Sequence, residues 1–284
     1  MFRTDFLAAP LLCLLVAAGA GLTLPGPVAG GEPSAATLAL FQDDEEPPVE
    51  DEREAVEALI EKLEPLLKDR KGVRDQEAIG LLDELLSEFE RSGPKDRKDI
   101  CDVVADCLTV KRKELEDGTP NQALQRAAAT ALGRMGPESE KALLKNIDSK
   151  DLRDAHVAHA ALLRSVGRLQ LEKGIKPMMG LLEGGVYQVE AAAAQALGMY
   201  VDAEGETRKD IFARLLKVIM PLEQVIEGGE QGTSDYDEVR KRYDTISSSI
   251  RESMQALSGH EERDFNEWQR WWNDNKKADW DEGR

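Results

Sequence analysis

The chain has 284 residues, of which 41% are apolar and only 5% aromatic, and its net charge at pH 7 is −18. The length allows one or two domains, and the small aromatic share favours helices over strands. Nucleic-acid binding depends on Lys and Arg that neutralise phosphates, so the negative charge argues against nucleic acid as a partner. A cationic protein, a divalent cation or no charged partner at all stay open, and solubility alone accounts for such a charge.

The first thirty residues are typical of a secretory signal. Arg3 is followed by an uncharged, largely apolar run over residues 6–24, within which Ala18-Gly19-Ala20 fits a small-x-small cleavage site. A run of this length also fits an uncleaved membrane anchor. We therefore predict a signal peptide or anchor over residues 1–30, and an exported protein, periplasmic or secreted. Membrane contact is expected only through such an anchor.

Residues 31–51 are predicted to be a disordered acidic tether. Small residues and proline come first, and the acidic block over residues 43–46 is followed by two prolines. Segments of this composition rarely bury enough apolar surface to fold.

Residues 52–118 predict an N-terminal region of three helices. Pro65 removes a hydrogen bond from the first, so that helix should kink or end near Glu64. Gly93 and Pro94 stop the second. Apolar stripes mark the first two helices over residues 56–67 and 78–89, and the third is expected from about Asp96 to Leu115.

Four later segments repeat one register of residues. An apolar or small first residue is followed by apolar or small ones at i+4, i+7, i+8 and i+11, and the i+7 residue is always small. A glycine follows at i+9 in the first three: Gly133, Gly167 and Gly198. A period of about 31 to 34 residues is typical of stacked-repeat proteins. The sets are Leu124, Ala128, Ala131, Leu132 and Met135; Ala158, Leu162, Ser165, Val166 and Leu169; Val189, Ala193, Ala196, Leu197 and Tyr200; and Ile246, Ile250, Ser253, Met254 and Leu257.

The register predicts helices that stack closely, because a small residue at the contact lets two helix axes approach to the short end of about 8–10 Å. Shorter second helices are expected near residues 143–147, 175–182 and 211–219, with Pro221 bending the last. The repeats are assigned to residues 119–227, and a further repeat with a capping helix to 235–277.

Cys101 and Cys107 are both expected on the third helix. Six residues of helix rise about 9 Å, beyond the roughly 7 Å Cα separation that a disulfide allows. Cys107 also takes the small place of an earlier copy of the register. Both are therefore predicted to be small core residues, with an intermolecular bridge or a reactive thiol as the alternative.

Aromatic residues concentrate near the C-terminus. Phe265, Trp268 and Trp272 lie at i, i+3 and i+7 of one short helix, with Trp271 on the flank of the same face. This pattern predicts a helix that covers the exposed end of the array. An aromatic platform for a ligand such as a sugar is the alternative, and Trp280 has no assigned place.

The alanine-rich helices carry a family resemblance. The segments Ala127–Gly133 and Ala191–Gly198 resemble the first helix of short bacterial HEAT repeats, and residues 256–275 resemble the closing segment of HEAT-like proteins exported by planctomycete-type bacteria. The resemblance covers roughly residues 121–276. It implies an α-solenoid used in protein interaction and supplies no catalytic residue.

Few residues predict chemistry. His156 and His159 share a helix face, but zinc needs a third or fourth ligand that no pattern provides. The acidic loop with Asp202, Glu204 and Glu206 does not have the spacing of an EF-hand. No nucleophile motif or phosphate loop is present in the sequence. We predict no catalytic residue, metal ligand or cofactor.

The sequence thus predicts an all-α protein: an α-solenoid of stacked antiparallel helix pairs, HEAT-like, with a C-terminal capping helix. The tryptophan-glycine-tyrosine pattern of tetratricopeptide repeats and the T-P-L-H of ankyrin repeats are missing. The predicted role is a noncatalytic scaffold or adaptor for an unidentified protein. A binding module for a cell-surface polymer or cation, and an accessory subunit of an enzyme, are the alternatives.

Overall fold

The computed structural model describes residues 50–282, and within them every regular element is helical. The prediction of an all-α protein is confirmed for this part of the chain, where an isolated bridge between Glu50 and Ser92 is the only β-type pairing. The predicted signal or anchor, and the tether up to residue 49, lie outside the described residues. The helices are α1 (Glu54–Leu67), α2 (Asp75–Phe89), α3 (Pro94–Asp106), α4 (Ala123–Arg134), α5 (Glu140–Asn146), α6 (His156–Arg168), α7 (Ile175–Leu181), α8 (Tyr187–Leu197), α9 (Gly205–Gly228), α10 (Ser234–Ser258) and α11 (Phe265–Asn275).

The even-numbered helices pack on one another in series, α2 on α4, α4 on α6, α6 on α8 and α8 on α10. Each of them also packs against the odd-numbered helix that precedes it in the chain, and α11 packs on α9. The repeated register lies on α4, α6, α8 and α10, the helices with the most extensive mutual contacts.

The glycines at i+9 lie where neighbouring helices are closest. A Cβ atom on Gly133 would lie 2.3 Å from Ser165 Oγ, and one on Gly167 would lie 2.6 Å from the carbonyl oxygen of Ala196. The same atom on Gly198 would lie 2.7 Å from the Cα of Ser253. Each glycine therefore faces the small i+7 residue of the next helix, and α10 ends the series without needing its own glycine.

Serine at i+7 adds a hydrogen bond to this contact. The hydroxyl of Ser165 donates to the carbonyl of Ala129 over 2.9 Å, and that of Ser253 donates to the carbonyl of Ala194 over 2.8 Å. These carbonyls belong to the preceding helix of the row, at i+5 of its register. A buried hydroxyl left without such an acceptor would cost about 1–3 kcal/mol.

The predicted third helix, Asp96 to Leu115, is too long. α3 ends at Asp106 and is followed by a 3-10 turn over Cys107–Thr109. The reason is Arg112, whose buried guanidinium forms a 2.8 Å ion pair with Asp75 and donates to the carbonyls of Leu66 and Leu67. Ending the helix early allows Arg112 to reach the last carbonyls of α1 and to pair with a buried carboxylate.

Three further expectations are corrected. α1 continues past Pro65 and ends at Leu67, because a proline this close to the helix end removes only one hydrogen bond. α9 has 24 residues and continues beyond Pro221 to Gly228, so it is not a short second helix. Asp51, assigned to the tether, is hydrogen-bonded to the start of α3.

Both cysteines are free and buried. Cys101 lies on α3, and Cys107 starts the 3-10 turn that follows it. Burial raises the pKa of each thiol to about 12, so neither forms the thiolate that makes a cysteine reactive near neutral pH.

Candidate functional site

The residues predicted to pack the array lie in the core. Thirteen of the fourteen are buried, and Trp272 is half-buried. These side chains build the frame and offer no surface to a partner. The buried thirteen are Leu124, Ala128, Ala131, Leu132, Leu162, Val166, Ala193, Ala196, Leu197, Ile250, Leu257, Phe265 and Trp268.

The C-terminal aromatic residues converge on Phe212 of α9, which the sequence pattern did not single out. Its ring centroid lies 5.1 Å from that of Trp272, 5.5 Å from that of Trp280 and 5.6 Å from that of Trp268. Phe212 and Trp268 are fully buried, whereas Trp271, Trp272 and Trp280 are half-buried. The cluster thus covers α9, and its central rings are closed to solvent.

A groove between α1 and α3 is a concave surface with a distinct chemistry. Its volume is about 800 Å³, and its lining includes eight carboxylates and only two basic side chains, Arg53 and Lys95. The apolar part of its lining is supplied by Val56, Ile60, Leu67 and Val103.

The carboxylates form a stripe on each helix. Three lie at i, i+4 and i+7 of α1, and three lie at i, i+3 and i+7 of α3, so each set shares one helix face. All six side chains belong to exposed residues. We call these the α1 stripe and the α3 stripe; the α1 stripe is Glu57, Glu61 and Glu64, and the α3 stripe is Asp99, Asp102 and Asp106.

Most of this charge is not neutralised within the part of the chain that the structure describes. Lys98 lies 2.8 Å from Asp102 and 3.9 Å from Asp99. None of the ion pairs among residues 50–282 involves the α1 stripe or Asp106. Like charges one turn apart on a helix destabilise it by about 0.2–0.5 kcal/mol per pair. The folded chain therefore bears a small cost that a cationic partner would relieve.

The lysines at the groove respond to this charge. A 2.7 Å hydrogen bond to Glu52 raises the pKa of Lys95, and a 2.8 Å hydrogen bond to Asp102 raises the pKa of Lys98. Both ammonium groups are exposed, so their effect on the field of the groove is weakened by solvent.

Two aspartates fix one end of the groove. Asp96, on α3, accepts hydrogen bonds from the backbone N–H groups of Glu52 and Arg53 over 2.9 and 3.0 Å. Asp51, ahead of α1, accepts from the N–H groups of Lys95 and Asp96 over 2.9 and 3.1 Å. The two carboxylates thus join the segment before α1 to the first turn of α3.

The sequence carries a local pattern that corresponds to each side of this groove. The acidic residues of α1 and α3 recur at helical spacing, but nothing local shows that the two stripes face the same groove. The pairing depends on the packing of two helices whose stripes are about forty residues apart in the chain.

The histidines and the acidic loop have local roles. His159 is buried and its Nε2–H donates to the carbonyl of Ile147 over 2.7 Å, while burial lowers the pKa of the ring. Asp202 accepts from Gln170 over 3.1 Å. Among residues 50–282, no group of three or more His, Cys, Asp or Glu side chains has the geometry to hold a metal ion.

No family model, curated protein or solved structure matches this chain. None of the described helices is both long enough and apolar enough to span a bilayer.

Proposed function

We propose that this chain is a noncatalytic protein-binding scaffold, and that the groove between α1 and α3 holds a basic, amphipathic segment of its partner. The observation that carries the proposal is the pair of facing acidic stripes around an apolar lining. The class of protein we propose is an exported α-solenoid of the HEAT type. The serial packing of the even-numbered helices through glycine contacts supports the architecture, and the N-terminal sequence supports export.

The groove fits a short helix better than a broad surface. Each stripe spans eight residues, about two helical turns or 10–12 Å. A partner helix with Lys or Arg on both flanks and Leu or Ile between them would match both stripes and the apolar lining. Such a groove would recognise the pattern of basic and apolar residues on the partner helix rather than one exact sequence.

The charges and the apolar lining contribute differently to the free energy of binding. An exposed ion pair contributes about 0–1 kcal/mol, whereas apolar surface removed from water contributes about 25 cal/mol per Å². Of the apolar lining, Val56 and Val103 are buried. The hydrophobic contribution therefore comes from the partly exposed Ile60 and Leu67, and the charges share in the affinity. The carboxylates select basic partners and speed their association, an effect that salt screens.

The alternative functions are less well supported. A polymer-binding platform would need exposed aromatic faces, yet Trp268 is fully buried and Trp272 is half-buried. An accessory role in catalysis would need convergent polar groups with perturbed pKa values. The largest shifts belong to Cys101, Cys107, Tyr200 and Tyr243, which are scattered over the molecule.

The groove is tested with a fluorescein-labelled synthetic helix of Leu and Lys, with a helix of Leu and Glu as the charge-reversed probe. We expect the Lys peptide to bind at this groove, and the Glu peptide to be insensitive to changes in the groove. Replacing the α1 stripe by E57Q, E61Q and E64Q should weaken binding by about tenfold or more and reduce its salt dependence. Fluorescence anisotropy at several salt concentrations measures both.

A control variant also removes three negative charges, but outside the groove. Asp83, Glu84 and Glu252 are exposed and lie outside the groove, so D83N, E84Q and E252Q should leave affinity for the Lys peptide nearly unchanged. Equal losses in the two triple variants would show a general charge effect and contradict the proposal, as would failure of the Lys peptide to bind.

A further inference from the structure

A second exposed surface of the chain has the opposite chemistry. α4 and α6 contain no Asp or Glu, although Asp and Glu together number 55 in the chain. The same two helices carry four exposed arginines. We define the arginine face as the exposed side of α4, α6 and α8, with Arg126, Arg134, Arg164 and Arg168 as its basic residues.

The register explains why these arginines share one side. Arg126 and Arg134 occupy i+2 and i+10 on α4, and Arg164 and Arg168 occupy i+6 and i+10 on α6. Positions four apart lie on one helix face. The contact between Gly133 and Ser165 brings the two helices to close-packed spacing, with axes about 8–10 Å apart, so their outward faces are adjacent.

The arginines of this face are available to a partner. None of the ion pairs among residues 50–282 includes any of the four. Arg164 donates to the side-chain oxygen of Gln195 over 2.7 Å, which steadies its guanidinium. The one carboxylate of α8, Glu190, is buried and paired with Arg242, so it does not neutralise the face.

Small residues separate the arginines. Ala127, Ala161 and Ala191 are half-buried along the three helices, and Val157 is 49% exposed. A partner backbone can thus approach closely and bring its carboxylates within reach of the guanidinium groups, which bind carboxylates with two parallel hydrogen bonds.

The flanking helices limit what kind of anion fits. Two exposed carboxylates lie on the helices that flank the arginine face. Glu84 lies on α2, which packs on α4, and Glu252 lies on α10, which packs on α8. A long polyanion such as DNA would meet these carboxylates and the net charge of −18. A short acidic peptide would lie between them, and charges beyond about 8 Å are screened at physiological salt.

We propose that the arginine face binds a short acidic segment of a partner protein. This site is independent of the groove between α1 and α3. With two surfaces of opposite charge, the chain would join a basic segment to an acidic one, which is an adaptor activity beyond binding a single partner.

The probe for this site is a labelled peptide of Glu with interspersed Leu, and its binding is measured by fluorescence anisotropy. We expect R134Q with R168Q to weaken its binding by about tenfold. R134K with R168K should recover only part of the affinity, because lysine keeps the charge but lacks the two parallel donors. R91Q with R270Q, two exposed arginines outside the face, should have little effect.

The groove probe separates this inference from the proposed function. R134Q with R168Q should leave binding of the Lys peptide unchanged, so each surface can fail without the other. Equal weakening by the R91Q/R270Q pair, or no binding of the Glu peptide, would overturn the inference. Tighter binding of a DNA duplex than of the Glu peptide, lost in R134Q/R168Q, would overturn the choice of partner.

Discussion

At the scale of single residues, the distance between neighbouring helices depends on glycine. Gly133, Gly167 and Gly198 each meet the small i+7 residue of the next helix, and any larger side chain there would overlap it. An added Cβ is hardest to accommodate at Gly167, because the two nearest atoms are the backbone oxygen and Cα of Ala196. Backbone atoms cannot rotate away as a side chain does.

We therefore expect G167A to destabilise the protein by about 1–3 kcal/mol through overpacking, measured by urea unfolding. The control is G80A. Gly80 lies in the middle of α2, where an added Cβ has nothing within 4 Å. Alanine there should be neutral or stabilising by up to about 1 kcal/mol. If G167A unfolds at the same urea concentration as the parent protein, the neighbouring helices can move apart with little loss of stability.

At the scale of elements, the C-terminal tail is held by a buried arginine. Arg208 in the first turns of α9 is 2% exposed and donates to the carbonyls of Ala203, Leu257 and Trp280, and to Asp281 over 2.9 Å. Its guanidinium also lies 5.8 Å from the ring centroid of Trp280. One side chain thus joins α9, the end of α10 and the tail that follows α11.

Removing these donors should loosen the tail. R208M keeps an unbranched apolar stem but removes the guanidinium and leaves buried carbonyls without a partner, at about 1–3 kcal/mol. We expect this loss in urea unfolding, together with faster tryptic cleavage at Lys276 and Lys277. D281N should have a much smaller effect, since Asp281 is half-exposed. Unchanged proteolysis of R208M would mean that aromatic packing alone holds the tail.

At the scale of the whole molecule, a net charge of −18 conceals an uneven distribution. Carboxylates line the groove between α1 and α3, whereas α4 and α6 carry none. The two surfaces belong to different sets of helices, odd-numbered and even-numbered. Composition alone argued against nucleic acid as a partner, but local charge decides contacts at physiological salt, where charges more than about 8 Å apart are largely screened.

Global stability should fall as the pH drops below about 6.5, the usual pKa of histidine. Burial lowers the pKa of His159 in the folded chain, so the unfolded chain binds a proton first and is favoured as pH decreases. For one histidine the slope is at most about 1.4 kcal/mol per pH unit. Urea unfolding between about pH 7.5 and 5.5 measures it, because ordinary carboxylates titrate below this range.

The variant H159Q should flatten this dependence, even if it lowers stability overall. His156 lies on the same helix but is partly exposed, and H156Q should keep the slope of the parent protein. An unchanged slope in H159Q would assign the pH dependence to other groups.

Much of the frame follows from local sequence. Helical content and the positions that become buried on α4, α6, α8 and α10 can be read from the spacing of apolar and small residues, because helix periodicity is a local property. The early end of α3 could not be read in this way. It depends on Arg112 reaching Asp75 and the end of α1, contacts that exist only after the helices have packed.

The all-α class and the repeated register can be read from the sequence alone, since both arise from interactions within a few residues. The tertiary structure, by contrast, creates the surfaces that have a proposed function. It brought Glu61 and Asp102 to one groove and centred the tryptophans on Phe212. It also placed α4, which carries Arg134, beside α6, which carries Arg168, through the contact of Gly133 with Ser165. Each of these is a relation between distant residues, which helix packing creates and a linear pattern does not contain.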